Sequence, residues 1–384
     1  MNDPLFENIT KIHGDLCEIS RYLYEHPELG DREYKSMKQL TDLLVSHDFT
    51  IETGTAGRPT AFKAVFNGEK PGPVIAYLAE YDALPEVGHG CGHNLIGTMS
   101  VGAGIILSKQ VAEIGGSVVV LGTPAEETNG AKVPMSEQGI FNEIDVAMMV
   151  HPGDQSYESG DSLAMDAIQF AYFGKSSHAA ASPEKGINAL DSVIQLFNGI
   201  NALREHLPDD VRIHGIIAEG GSAANVVPDK AVAQFYIRAK ERAVLNDVVT
   251  KVMNIANAAA MMTGARLESS NYELSYDNMI TNKQLSNVFS KHLQDISGVP
   301  VLPAKQSYGS IDMGNVSHVV PAIHPYIGLD EPGLVAHTKE FADKTITAKG
   351  QQVIADGALA LARTGYEVIT DSVLLKAIQT EFHK

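Results

Sequence analysis

Leu5, Ile9, Ile12, Leu16, Ile19 and Leu23 recur at three- and four-residue intervals, and that spacing predicts an amphipathic helix at the start of the chain. Pro27, Gly30 and Asp31 interrupt the pattern before a second helical stretch over 32–47. Short apolar, β-branched runs follow at 61–66, 74–78, 118–122 and 146–150, and they alternate with helical stretches such as 95–111. Such alternation predicts an α/β domain built on a mostly parallel sheet. From about residue 163 the order changes to strand 163–174, helix 186–206, strands 212–219 and 230–239, helix 241–264 and strand 266–274. That is a ferredoxin-like βαββαβ unit. No Pro/Gly/Ser linker longer than a turn flanks it, so it is expected as an insertion: residues 1–165 and 275–384 form one discontinuous domain and 166–274 a second. Two helices, over 348–364 and 372–382, close the chain.

Length agrees with two domains, because 384 residues exceed what one hydrophobic core usually serves. With 44% hydrophobic and 20% charged residues, the apolar runs are broken well before the roughly 20 residues that span a bilayer, so no membrane partner is expected. The first residues lack the basic and apolar segments of a signal peptide. The two cysteines, Cys17 and Cys91, make no disulfide framework, and a reducing cytoplasmic setting is expected. A formal net charge of -18, with no cluster of Lys and Arg to reverse it locally, argues against nucleic acid as a partner.

In open α/β sheets, chemistry gathers at the carboxyl ends of strands. Here AEYDALPEVGHGCGH follows the second apolar run, TPAEE the third and HPGD the fourth. Cys91 and His93 stand two residues apart in a glycine-rich loop before a helix, and a thiolate with an imidazole suits zinc or a similar cation. The alternative for that pair is a buried thiol beside a loop histidine. Glu126 and Glu127 are adjacent, so their side chains diverge and can hold different tasks, one facing a metal and the other a water. Solvated surface carboxylates are the plainer reading. His151 repeats the theme at the end of an apolar strand, where a hydrogen-bonded core histidine is the competing possibility.

Taken together, these segments resemble the M20 family of metallopeptidases and amidohydrolases, in the Cys-containing subfamily with aminobenzoyl-glutamate and hippurate hydrolases. The likeness runs from Arg21-Tyr-Leu-Tyr-Glu-His-Pro-Glu-Leu-Gly and Glu33 through Asp82-Ala-Leu-Pro, Gly90-Cys-Gly-His, Pro124-Ala-Glu-Glu and Val150-His-Pro. It continues through Ser177-His178-Ala, Ala224-Asn-Val-Val-Pro-Asp and Ser310-Ile-Asp-Met to His337. The resemblance implies Cys91, His93, Glu127, His151 and His337 as metal ligands, Glu126 as general base, and Asp82 as a carboxylate that orients a ligand. His337 enters only through the likeness. His178 is implied as a histidine from the partner subunit that contacts the substrate carbonyl, and Asn225 as a supporting substrate contact. Glu80-Tyr81-Asp82 departs from the His-x-Asp that begins the site in many relatives, and Asn94 stands where close relatives often carry Asp. The branch most similar is that of aminobenzoyl-glutamate hydrolases and cytosolic dipeptidases.

The implied activity is metal-dependent hydrolysis of amide bonds in dipeptides or N-acyl amino acids. It implies two divalent ions per chain, zinc first, with manganese or cobalt as alternatives. The inserted unit would form a homodimer, which can itself pair into a higher oligomer. Two rival readings are a cysteine hydrolase with Cys91 as nucleophile and a catalytically silent metal-binding scaffold.

Overall fold

Leu5, Ile9, Ile12, Leu16, Ile19 and Leu23 all turn inward on α1 (Pro4–Glu25), as their spacing requires. α2 (Tyr34–Ser46) buries Leu40 and Leu44 in the same way. The computed structural model describes residues 4–384. The chain divides into a first unit, running to Asp161 and resuming over Met279–Ser307 and Asp312–Lys384, and a second, Ser162–Asn278 with Tyr308–Ile311.

In the first unit the chain continues through β1 (Thr50–Thr53), β2 (Phe62–Asn67), β3 (Val74–Ala79), α3 (His93–Ile114) and β4 (Ser117–Gly122). Short elements follow: α4 (Glu126–Asn129), α5 (Lys132–Glu137), β5 (Val146–Met148) and β6 (His151–Gly153). The second unit holds β7 (Ala164–Phe173), α6 (Ala189–Leu203), β8 (Arg212–Glu219), β9 (Lys230–Ala239), α7 (Arg242–Thr263) and β10 (Arg266–Asn271). The chain returns to the first unit with α8 (Lys283–Ser297), α9 (Met313–Ser317), β11 (Ala322–Ile323), β12 (Tyr326–Gly328), α10 (Lys339–Thr345), α11 (Ala348–Thr370) and α12 (Ser372–Phe382).

The main sheet has the order β1-β2-β4-β3-β5-β11, with β4, β3, β5 and β11 mutually parallel. β3 sits inside it and is apolar along its whole length, as a strand covered on both faces must be. The fold is α/β with a mostly parallel sheet, but β2 runs antiparallel to β4 and pairs with β1 in a hairpin. The reason is geometric: residues 68–73 are too few to carry the chain across the sheet into a parallel β3. The run expected at 146–150 is also shorter as a strand: β5 ends at Met148, and β6, which pairs separately with β12, begins only at His151. α3 is long and apolar enough to cross a membrane by composition. Its Leu95, Ile96, Met99, Val101 and Ile105 are instead buried in the unit, which packs α1, α11 and β3 against this helix.

The second unit is a four-stranded antiparallel sheet, β10-β7-β9-β8, in the βαββαβ order. Phe170, Tyr172, Phe235 and Ile237 on its strands share a core with Val193 and Leu196 of α6 and Val248 and Val252 of α7. β8 lies at one edge, where Ile216 and Ile217 are exposed.

A buried cation ties the end of β3 to α5 and α9 inside the first unit. Lys132 Nζ donates to Glu80 Oε1 and to Asp312 Oδ1, each at 2.6 Å, and all three side chains are buried. Burial opposes every one of these charges. The two acids nonetheless hold Lys132 above the ordinary lysine range. Burial likewise pushes Glu80 up, but Lys132 and nearby imidazoles bring it down to about 2. Asp312, burdened by burial and by the charge of Glu80, rises to about 6. One cation thus serves two acids at equal distance. Lys132→Met would leave both carboxylates buried without it, and denaturant unfolding of the metal-free protein should show a loss of about 3–5 kcal/mol. A loss within experimental scatter of zero would mean that this contact does not join the three segments.

Candidate active site and metal centre

Three strand ends and one loop of the first unit deliver the polar side chains. Cys91 lies in the loop after β3, and His93 is the first residue of α3 rather than part of the loop before it. Gly92 between them has φ +79°, and a Cβ there would come within 2.4 Å of Pro152 Cγ, so only glycine fits this approach. Glu126 and Glu127 open α4 just beyond β4, and His151 opens β6. His337 sits between β12 and α10 with φ +65°, and its amide donates to the Gly90 carbonyl at 2.8 Å, fastening its loop to that of Cys91.

Three trios each bring one donor atom per residue to within 4.8 Å of the others: Cys91, His93 and His151; Cys91, Glu127 and His337; His93, Glu126 and Glu127. Cys91 Sγ lies 3.4 Å from His151 Nε2 and 3.5 Å from His337 Nε2, and His337 Nε2 is 3.2 Å from Glu127 Oε1. The outer nitrogens of two imidazoles are engaged. His151 Nδ1 is 2.7 Å from the Pro152 carbonyl, and His93 Nδ1 is 3.0 Å from Asp82 Oδ1. An N–H directed at such an acceptor turns Nε2 toward the cluster. Asp82 does more than orient His93, for its Oδ2 accepts the Glu127 amide at 3.1 Å.

Electrostatics divides the two glutamates. Burial, then Glu80, Asp312 and Glu127, pushes Glu126 well above the usual carboxylate range. Burial acts the same way on Glu127, but the hydrogen bond from His337 and the nearby imidazoles hold it below that range. Adjacent carboxyls with affinities driven apart are suited to separate tasks. Burial pushes the Cys91 thiol far up, away from the activated thiolate a cysteine nucleophile needs. His93 is buried, which lowers its proton affinity, yet Asp82 and Glu80 raise it well above the ordinary imidazole range. Its Nε2 forms no hydrogen bond, and Glu80 Oε2, also without one, is 3.3 Å away. The surroundings of that nitrogen therefore favour positive charge, which a proton or a cation can supply. A thiol, imidazoles and a carboxylate together fit a borderline divalent ion.

His178 and Asn225 lie in the second unit, away from these seven residues in the chain and close to each other. His178 and Val226 form an isolated antiparallel bridge, and the Ala179 amide donates to the Asn225 carbonyl at 3.0 Å. His178 Nδ1 accepts from the amides of Ala180 and Ala181 at 3.2 and 3.1 Å. With Nδ1 an acceptor, Nε2 carries the proton and is a donor. Both side chains are exposed.

Sequence reasoning assigned no role to Glu80, Lys132, Asp312 or His324. Glu80 and Asp82 flank Tyr81 with the period of two that puts side chains on one side of an extended chain, a signal that was available. His324-Pro325, after the apolar run 319–323, repeats the His151-Pro152 arrangement, and the two imidazoles lie 5.4 Å apart. Burial drives His324 down to about 3. Asp312 lies in the Ser310-Ile-Asp-Met segment, but nothing local marks its contact with Lys132, because the two are distant in the chain.

Residues 168–262 match the M20 peptidase dimerisation domain. The chain is 34% identical to the Xaa-Arg dipeptidase of Mus musculus over 398 aligned positions, covering 98% of this chain and 90% of that protein. It is 33% identical to a p-aminobenzoyl-glutamate hydrolase chain of Escherichia coli, over 72% of this chain and 61% of that one. Among solved structures, a dinuclear metal-binding M20 peptidase of Bacillus subtilis superposes with a TM-score of 0.66 at 21% identity, over 92% of this chain and 99% of the other. The fold, the inserted dimerisation domain and the likeness along the whole chain lead to one conclusion: the chain belongs to the M20 peptidase family and is a hydrolase.

Proposed function

We propose that this enzyme hydrolyses the amide bond of dipeptides or N-acyl amino acids with two divalent metal ions, most readily zinc. The observation that carries the reading is the convergence of Cys91, His93, Glu127, His151 and His337 beside Glu126, whose proton affinity is raised while that of Glu127 is lowered. Cys91, His93 and His151 would hold one ion, and Glu127 and His337 with Cys91 the other. Such ions would polarise a carbonyl and lower the pKa of a coordinated water to roughly 7. Glu126 takes the proton of the attacking water as its oxygen bonds to the amide carbon. The same carboxyl returns that proton to the nitrogen as the C–N bond breaks. The full-length likeness to a dipeptidase makes dipeptides ending in arginine the first substrates to assay.

His178 is proposed as an oxyanion donor supplied by the partner subunit of a homodimer, with Asn225 supporting the substrate. The Nε2–H that its hydrogen bonds leave available is the donor this task needs. The dimer would form through the inserted unit, using the exposed edge β8 or the adjoining helices.

Elemental analysis of gently purified protein should give two divalent ions per chain. Chelator should abolish turnover and added zinc, manganese or cobalt restore it, whereas activity that survives chelation but not alkylation would favour a Cys91 nucleophile. Glu126→Gln should abolish turnover while metal content stays at the wild-type level, and Glu127→Gln should lower metal affinity. Near-normal activity of Glu126→Gln would remove it as the base. His178→Ala should lose roughly 10² to 10³ in turnover, the usual cost of one oxyanion donor, while keeping its metal. Mixing it with Glu126→Gln under subunit exchange should restore activity at one of the two sites of each heterodimer. Verified exchange with no recovery would mean that His178 does not act across a dimer.

A further inference from the structure

The segment Leu29–Glu33 supplies no residue to the site, yet it closes on the turn that carries Glu126 and Glu127. At Gly30 a Cβ would lie 2.6 Å from Thr128 Oγ1 and 2.9 Å from Ala125 Cβ, so the backbone itself rests against that turn. Glu33, fully buried, accepts the Ala125 amide on Oε1 at 2.9 Å and the Thr60 hydroxyl on Oε2 at 2.8 Å. Thr60 is fixed in turn, because the Tyr81 hydroxyl donates to its carbonyl at 2.5 Å. Ala125 needs such support. Its φ of 62° and ψ of 33° put an alanine in the left-handed region, where its Cβ is crowded, and at the N-cap position of α4 its own side chain offers no capping acceptor. Backbone of this kind persists only where its surroundings over-determine it.

We propose that Glu33 is a positioning residue for the reaction: its carboxyl pins the Ala125 amide in the left-handed turn and thereby aims Glu126 and Glu127. This rests on the roles given to those two glutamates above. Asp82 secures the Glu127 amide from the other side, so two acids from different segments hold successive parts of one turn. The function of Glu33 is to accept, and it does not need a charge. Burial, with the charge of Asp82, pushes this carboxyl up to about 7, and the protonated form still offers an oxygen to the amide.

The test compares the metal-loaded Glu33→Leu, Glu33→Gln and Glu33→Leu/Ala125→Gly variants with wild type, together with hydrogen exchange at the Ala125 amide in the metal-free proteins. Glu33→Leu fills much of the same space without an acceptor. It should lower kcat roughly tenfold or more, the scale of one released strained residue, with KM changed far less. Its Ala125 amide should exchange faster. Glu33→Gln keeps an acceptor oxygen and should remain within a few-fold of wild type. Adding Ala125→Gly makes the left-handed conformation costless and should recover most of the activity lost in Glu33→Leu. Where Glu33→Leu does not fold, the double variant should restore folding and activity together. Wild-type kcat with slow exchange in Glu33→Leu, or a double variant no better than Glu33→Leu, overturns the proposal. A Glu126→Gln enzyme with near-normal turnover would instead overturn the reading of Glu126 as base, whatever the exchange at Ala125.

Discussion

Asp82 accepts from His93 with one carboxylate oxygen and from the Glu127 amide with the other, and the relative placement of the clustered side chains depends on this pair of bonds. The two partners belong to different crossovers: His93 begins the helix after β3, and Glu127 follows β4. The parallel pairing of those strands brings their ends side by side, but it does not set the angle at which each chain leaves the sheet. A buried carboxylate with two acceptor oxygens does. Removing it would free an imidazole and a turn together, which is why such outer groups influence metal affinity out of proportion to their number of contacts.

Charge compensation works at a second level beneath that link. Lys132 is the one cation from a lysine or arginine among the described buried residues of the first unit, and it faces Glu80 and Asp312. Both acids in turn raise Glu126. The lysine thus permits a density of carboxylates that would otherwise repel one another. The excess negative charge felt at Glu126 distinguishes it from its neighbour Glu127, which has His337 at 3.2 Å. Two residues of the same type, adjacent in sequence, acquire different chemistry from what surrounds them.

Much of this was legible from the residues alone. The apolar runs at 74–78 and 118–122 end in β3 and β4, and the thiol, imidazole and glutamates that follow them do gather in one place. The βαββαβ order was equally plain, because its central strands and both helices supply the apolar residues of one shared core. The reversal of β2 lay in a connection length rather than in the run itself. The contact between Lys132 and Asp312 was illegible for a different reason: they meet 180 positions apart, and no local pattern records such a contact. His337 follows no apolar strand, and a backbone hydrogen bond to Gly90 holds it in a left-handed conformation that its own neighbours do not signal. Glu33 could be seen as part of a motif, but its acceptor role depends on the conformation of Ala125, which is a property of the folded chain.

The first unit is interrupted after His151 and regains His337 only once the whole second unit has been passed. During synthesis the ribosome therefore delivers Cys91, His93, Glu127 and His151 well before the last member of the cluster. At roughly 5–20 residues per second, the nascent chain spends on the order of ten seconds or more between His151 and His337. Throughout that interval the early side chains are present without the residue that fastens the Cys91 loop from the far side. The completed cluster is consequently a late event in the life of each new molecule.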